Sequence, residues 1–137
     1  MSLFNIFSIS GSAMSAQSIR LNVTASNLAN AQSVGNSEAT TYRSRSPVFS
    51  AMMKSFQGDK VSYGVEMKGI VNSTTPLEKR YEPDHPLADK DGNIFLSNVN
   101  VVDEMSNMIS ASRAYESNVE VLNTSKQLML ATLRLGR

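Results

Sequence analysis

The chain has 137 residues, enough for one ordinary domain, and its 13 basic and 12 acidic side chains leave a net charge of +1. So small a charge gives no general attraction to nucleic acid or acidic lipid. Cysteine is absent, which excludes disulfides and thiolate sites, and the single histidine leaves little for metal or acid–base chemistry.

The opening "MSLFNIFSIS" is mildly apolar but lacks a basic flank, and Asn5 and Ser8 interrupt it. No run approaches the roughly 18 apolar residues of a membrane span, so neither a cleaved signal peptide nor an anchor is expected. Residues 1–32 read as an N-terminal helix from about Ile9. Phe7, Met14, Leu21 and Leu28 recur every seven residues, with Ser18 and Ala25 as small seam partners. Arg20 is the only charge in this stretch. A solvated helix face normally carries both signs of charge. The Ser, Asn, Gln and Thr opposite the stripe therefore suggest close approach to another backbone, with Asn27 and Asn30 able to fix register. A merely solvated polar face is the competing reading.

Residues 33–98 have a different texture, rich in Gly, Pro, Ser, Asn and Thr, and read as a small β-rich middle region. "SVGNSEATT" reads as loop. Pro47 favours extended chain at Ser46, and Gly58-Asp59 signals a turn. Val61, Tyr63, Val65 and Met67 alternate as in a strand, with Gly64 and Gly69 as bulge or bend positions. "YEPDHP" reads as an extended loop. Asp91-Gly92 precedes a short apolar strand, a hairpin signal. The same "DKDGN" fails as a calcium loop, because Leu87 and Asn98 would stand where acidic ligands belong. His85 reads as an exposed turn residue. The basic pairs Arg43/Arg45 and Lys79/Arg80 read as solvated loop charges, with contact to an acidic partner surface as the alternative.

Residues 99–137 carry the clearest pattern. Val101, Met105, Met108, Ser112, Tyr115, Val119, Leu122, Lys126, Met129 and Leu133 follow an unbroken 4-3-4-3 spacing. Asn100 can cap the helix, with Asp103 in the capping-box position. Acids come early and bases late, as the helix dipole prefers. At 1.5 Å per residue such a helix is roughly 50 Å long, more than a globule of this size would span. The expected architecture is α+β: long N- and C-terminal helices paired as an elongated coiled coil, with the β-rich region as a knob. In this reading Met14, Leu21 and Leu28 face the C-terminal stripe as its seam partner. Arg113 pairs with Glu116 or Glu120, or with an acid on a neighbouring molecule. The apolar residues beside each stripe exceed what one seam buries, which suggests folding coupled to assembly. No cofactor, metal or catalytic group is expected. A soluble coiled-coil binding module is the rival class.

"SAQSIRLNVTASNLANAQS" (Ser15–Ser33) resembles the N-terminal signature of the bacterial flagellar rod and hook proteins. "SNVNVVDEMSNMISASRAYESNVEVLNTSKQLMLATLRLGR" (Ser97–Arg137) resembles their C-terminal signature more closely. Asn98-Val99-Asn100, Glu104-Met105, Met108-Ile109, Arg113, Tyr115 and Asn118 fall where that family has them. The short length and "YEPDHPLADKDGNIFLSN" are similar to the proximal-rod branch. Ser26-Asn27 and Gln32-Ser33 depart from the usual paired Asn and Asn-Thr. The resemblance implies a structural subunit exported through the flagellar type III apparatus without a cleaved signal peptide. It implies assembly in the periplasm, through the terminal helices, with itself and other rod subunits and near ring proteins. It implies no role in nucleic-acid binding and no membrane insertion. Another rod or hook-family subunit is the alternative. The assembly interface expected from stripe and signature together is Met14, Leu21, Asn27, Leu28, Asn30, Val101, Met105, Met108, Arg113, Tyr115, Asn118, Val119, Leu122, Met129 and Leu133.

Overall fold

The computed structural model describes residues 3–56 and 60–135. Two terminal helices, α1 (Leu3–Ala29) and α2 (Val101–Leu135), flank five strands: β1 (Val34–Gly35), β2 (Arg45–Phe56), β3 (Lys60–Asn72), β4 (Glu78–Tyr81) and β5 (Asn93–Leu96). The fold is α+β. α1 starts at Leu3 rather than near Ile9, because nothing in the described first turns breaks a helix. Asn30 ends it: the Asn30 amide bonds Ser26 O, and its side-chain Nδ2 donates to the same carbonyl at 2.8 Å. Asn100 caps α2 as its position suggests. Asn100 Oδ1 accepts from Val102 N at 3.0 Å, and Asn100 O takes the first helical bond, from Glu104 N. With no Gly or Pro between Asn93 and Leu135, nothing stops α2 for 35 residues, about 52 Å.

The helices lie side by side and antiparallel. Asn27 meets Glu104 and, further back along α1, Arg20 meets Asn107 further forward along α2. The middle region forms two sheets. β1, β5 and β4 make a three-stranded antiparallel sheet in that order, and β2 and β3 make a long two-stranded ribbon. β5 is the expected strand after Asp91-Gly92. Gly92 holds φ of +78°, and Asp89 Oδ1 accepts from Asp91 N and Asn93 N, which closes the turn. β1 and β4 are additions to the expected pattern. Both are too short or too polar to show alternation, and they are strands because β5 offers them its two edges. "YEPDHP" is folded into turns rather than extended, with His85 Nδ1 accepting from Leu87 N at 3.1 Å. The register of the ribbon shifts between Val48 and Phe49, leaving Lys68 as the extra residue beside Gly69, one of the expected bulge positions. The expected Gly58-Asp59 turn lies outside the described residues.

The core is thin. Its buried apolar residues among those described are Ala16 and Val23 on α1, Leu77, Ile94 and Phe95 in the middle region, and Ala111 on α2. The helix seam therefore differs from the apolar stripe. One row of the stripe, Met108, Leu122 and Met129, is half-buried. The other row is mixed: Met105 and Leu133 are exposed, by 51% and 66%, while Ser112 and Val119 are half-buried; Val101, at the head of the first row, is exposed too. Tyr115, although on the first row, is also exposed at its edge. The second buried row lies one residue earlier, about 100° round the helix: Glu104, Ala111 and Ser125 are buried and Asn118 is half-buried. On α1 the buried positions are Ser10, Ala16, Val23, Thr24 and Asn27; Met14, Leu21 and Leu28 flank them half-buried, and Ser18 and Ala25 are exposed. The helices approach through small and polar side chains, and the stripe was read as seam because it is the more apolar row. Ala111 is fully buried in this seam. Ala111→Leu should destabilise the chain by about 1–3 kcal/mol in urea denaturation despite its greater hydrophobicity; an unchanged midpoint would mean that the seam is looser than described.

Candidate assembly interface

The helix pair is set by one side chain. Asn27 is 1% exposed and uses its whole amide. Nδ2 donates to Glu104 Oε1 at 2.9 Å and to Arg45 O at 2.8 Å. Oδ1 accepts from Arg45 N at 2.9 Å and from the Tyr42 hydroxyl at 2.9 Å. An amide offers two donors and two acceptor sites, and all four are filled. One residue thereby joins α1, the start of β2 and the first turn of α2. Asn98 does the same for the loops: its Oδ1 accepts from Ser44 N at 2.8 Å and its Nδ2 donates to Thr75 O at 2.8 Å. The Asn98-Val99-Asn100 triplet thus combines a loop clamp with a helix cap.

Asn30, the other expected register residue, bonds only within its own helix end. Asn118 likewise donates to Ala114 O, four residues back. Arg113 makes no ion pair among the described residues, so the expected intrahelical partnership with Glu116 or Glu120 is absent; Glu116 instead takes Ser112 Oγ at 3.5 Å. The basic loop pairs are engaged within the chain. Arg43 lies 3.8 Å from Glu38 and donates to Thr75 O, Lys79 sits over the Phe95 ring, and Arg45 sits over Tyr42. Residue spacing could not reveal Tyr42 or Arg45 as partners of Asn27, because they approach from a loop and from the start of β2. Glu104 was legible as an acid in a favourable helix turn and as part of the C-terminal signature, but not as the partner of Asn27.

The apolar rows left outside the seam form the surface. On α2 they are Val101, Val102, Met105 and Ile109 near one end and Leu128, Leu130 and Leu133 near the other, all exposed. On the ribbon, the pairs Phe49–Met67, Ala51–Val65 and Met53–Tyr63 share one face, and Met53, Tyr63, Val65 and Met67 are exposed there. Alternation in β3 was therefore read correctly as a strand, but this chain leaves most of that face exposed, covering only Phe49 and Val65 in part beside α1. Isolated two-stranded ribbons are marginal in water; here Ser12 of α1 supports the outer edge, its Oγ accepting from Val65 N at 3.2 Å. Among the described residues no His, Cys, Asp and Glu side chains gather as metal ligands, and no helix is long and apolar enough to cross a membrane.

Much of this chain's apolar surface thus lies outside its thin core, and comparison with known proteins gives the class. Residues 7–35 match the flagella basal body rod protein family, and residues 91–135 match the flagellar basal body rod FlgEFG protein C-terminal family. Over its full length the chain is 49% identical to the flagellar basal-body rod protein FlgC of Salmonella typhimurium and 50% identical to that of Yersinia enterocolitica, covering 100% of each. It is 43% identical to FlgC of Buchnera aphidicola subsp. Schizaphis graminum over 99% of both chains. The chain belongs to the flagellar basal-body rod proteins, and among them to the FlgC family.

Asn27→Ala leaves the Arg45 N–H, the Arg45 carbonyl and the Glu104 carboxylate without this partner, while the Tyr42 hydroxyl keeps Ser26 Oγ at 3.3 Å. At about 1–3 kcal/mol for each buried group left unpaired, it should cost at least about 3 kcal/mol in denaturant unfolding. Asn30→Ala, at a frayed helix end, should cost under about 1 kcal/mol. Equal costs would remove the special role of Asn27.

Proposed function

We propose that this chain is a structural subunit of the proximal rod that joins itself and other rod subunits through its terminal helices and carries torque along packed helix seams. The observation that carries the reading is that several large apolar side chains of α2 lie outside the intramolecular seam. Val101, Val102, Met105, Ile109 and Leu133 are held on a rigid helix and left in water. Burying such side chains is worth about 1.5–3 kcal/mol each, so neighbours that cover them gain substantially. Full-length relatives named as rod proteins support the same reading.

In this reading α1 and α2 form a coiled-coil pair, loosened at its seam by Ala111, Asn118 and Ser125. Neighbouring helices complete the packing on the exposed side. Met105 and Met129 are adaptable packers that suit contact with several different chains. The assembly interface comprises Met14, Leu21, Leu28, Asn30, Val101, Met105, Met108, Arg113, Tyr115, Asn118, Val119, Leu122, Met129 and Leu133, with Asn27 fixing the register of the helix pair. The middle region faces outward, toward neighbouring subunits and rings. The chain reaches the periplasm through the flagellar type III apparatus without a cleaved signal peptide. It needs no cofactor and performs no catalysis.

Met105→Lys and Ile109→Lys test the reading. Both side chains are exposed, so the free chain should unfold at the wild-type denaturant midpoint. In cells lacking the native protein, each should abolish rod completion and swimming. Normal swimming with either substitution would contradict the proposal.

A further inference from the structure

A groove of about 390 Å³ runs between α1, the first turns of α2 and the base of the ribbon. One half is apolar, lined by Ala13, Ala16, Pro47, Phe49 and Val65. The other is charged, lined by Arg20, Arg45 and Glu104. The charged half is poorly matched within the chain. Glu104 is buried, yet its only side-chain partner is Asn27, and no cation lies within ion-pair distance among the described residues. Arg20 donates to the neutral Asn107 Oδ1 at 2.9 Å and meets no acid. Gln17 Oε1, also lining the groove, is buried without a donor. A buried acceptor or charge left unpaired is costly, so these groups call for an occupant that brings their complements.

The chain presents such an occupant on its own surface. Along the exposed flank of α2 the residues one to two turns apart are Val102, Met105, Ile109, Arg113, Glu116 and Glu120, an apolar half followed by a charged half. Arg113 has no acid, and neither Glu116 nor Glu120 has a base among the described residues. The groove offers one acid and two arginines; the flank offers one arginine and two acids. Their apolar halves are similarly placed, at one end of each.

We propose that the groove of one subunit receives the Val102–Glu120 flank of α2 from a second copy of this chain. Val102, Met105 and Ile109 lie against Phe49, Val65 and the alanines of α1. Arg113, with five N–H donors, serves Glu104 and Gln17 Oε1, and Glu116 and Glu120 serve Arg20 and Arg45. Groove and flank are different surfaces of one chain, so the contact is head-to-tail and propagates rather than closes. This deepens the rod-subunit reading and rests on it.

The absence of cysteine makes the test direct. The full chain carrying Gln17→Cys and Ile109→Cys replaces the native protein in flagellated cells, and isolated basal bodies are treated with a short bismaleimide. A cross-linked species of twice the chain's mass, absent from either single-cysteine variant, is expected. Adding Arg20→Glu and Arg45→Glu together should cut its yield at least tenfold, and combining these two with Glu116→Arg and Glu120→Arg should restore at least half of it. A cross-link to a chain of different mass, or none while the chain is present in the rod, overturns the proposal and leaves the rod reading intact. If the cysteine pair blocks incorporation, Ala13→Cys with Met105→Cys repeats the measurement; a chain absent from the rod with both pairs refutes the rod reading and this inference together.

Discussion

The carboxamide of Asn27 is the constraint on which the rest of the structure depends. Its four hydrogen bonds end on α2, on a loop tyrosine and on both backbone groups of Arg45. Apolar contact is a weak guide to this geometry, because the buried seam is small or polar at most positions, with Val23 its one large apolar side chain beside Ala16, Ala111, Ser10, Thr24 and Ser125. Directional bonds in a water-poor place can fix register where hydrophobic contact cannot, as a polar seam residue does in a coiled coil. Glu104 is held in the same way, ready on the groove side while tied to α1 on the other.

From this follows an unusual division of labour. The strongest apolar side chains of α2 and of the ribbon do not stabilise the chain that carries them. They are displayed on elements made rigid by backbone hydrogen bonding and by a few polar clamps: Asn98 between two loops, Asn100 at the helix start, Ser12 on the edge of β3. A subunit built this way gives up some stability as a monomer and keeps its hydrophobic free energy for association. The rod proteins to which it is related are assembly components by name, and the physics of the exposed rows leads to the same place from the residues alone.

Much of this was legible in the sequence. Heptad spacing gave α2, the Asn100 cap gave its start, period-2 alternation gave β3, and Asp91-Gly92 gave β5. The paired terminal signatures gave the family. The rotational setting of the helices was not legible. Spacing ranks rows by apolarity, so the small and polar Ala111 and Ser125 had no signal that placed them inside. The tiny β1 and polar β4 exist because β5 needs partners, a long-range condition that no local window contains. Tyr42 and Arg45 meet Asn27 across a chain reversal for the same reason. The free Arg113 follows from rotation too: its side chain points away from the seam, where the acids of its own helix lie along the surface but do not close on it.

The central claim is that the apolar rows of α2 are completed by neighbours rather than by α1. Amide hydrogen exchange, measured residue by residue along α2 in the free chain and in isolated basal bodies, tests it most directly. The account predicts that residues 101–109 and 128–134 gain at least about a hundredfold protection on assembly, equivalent to roughly 2.7 kcal/mol, while the seam around Ala111 changes less. Equal protection of those segments in the free chain and in the rod would contradict it.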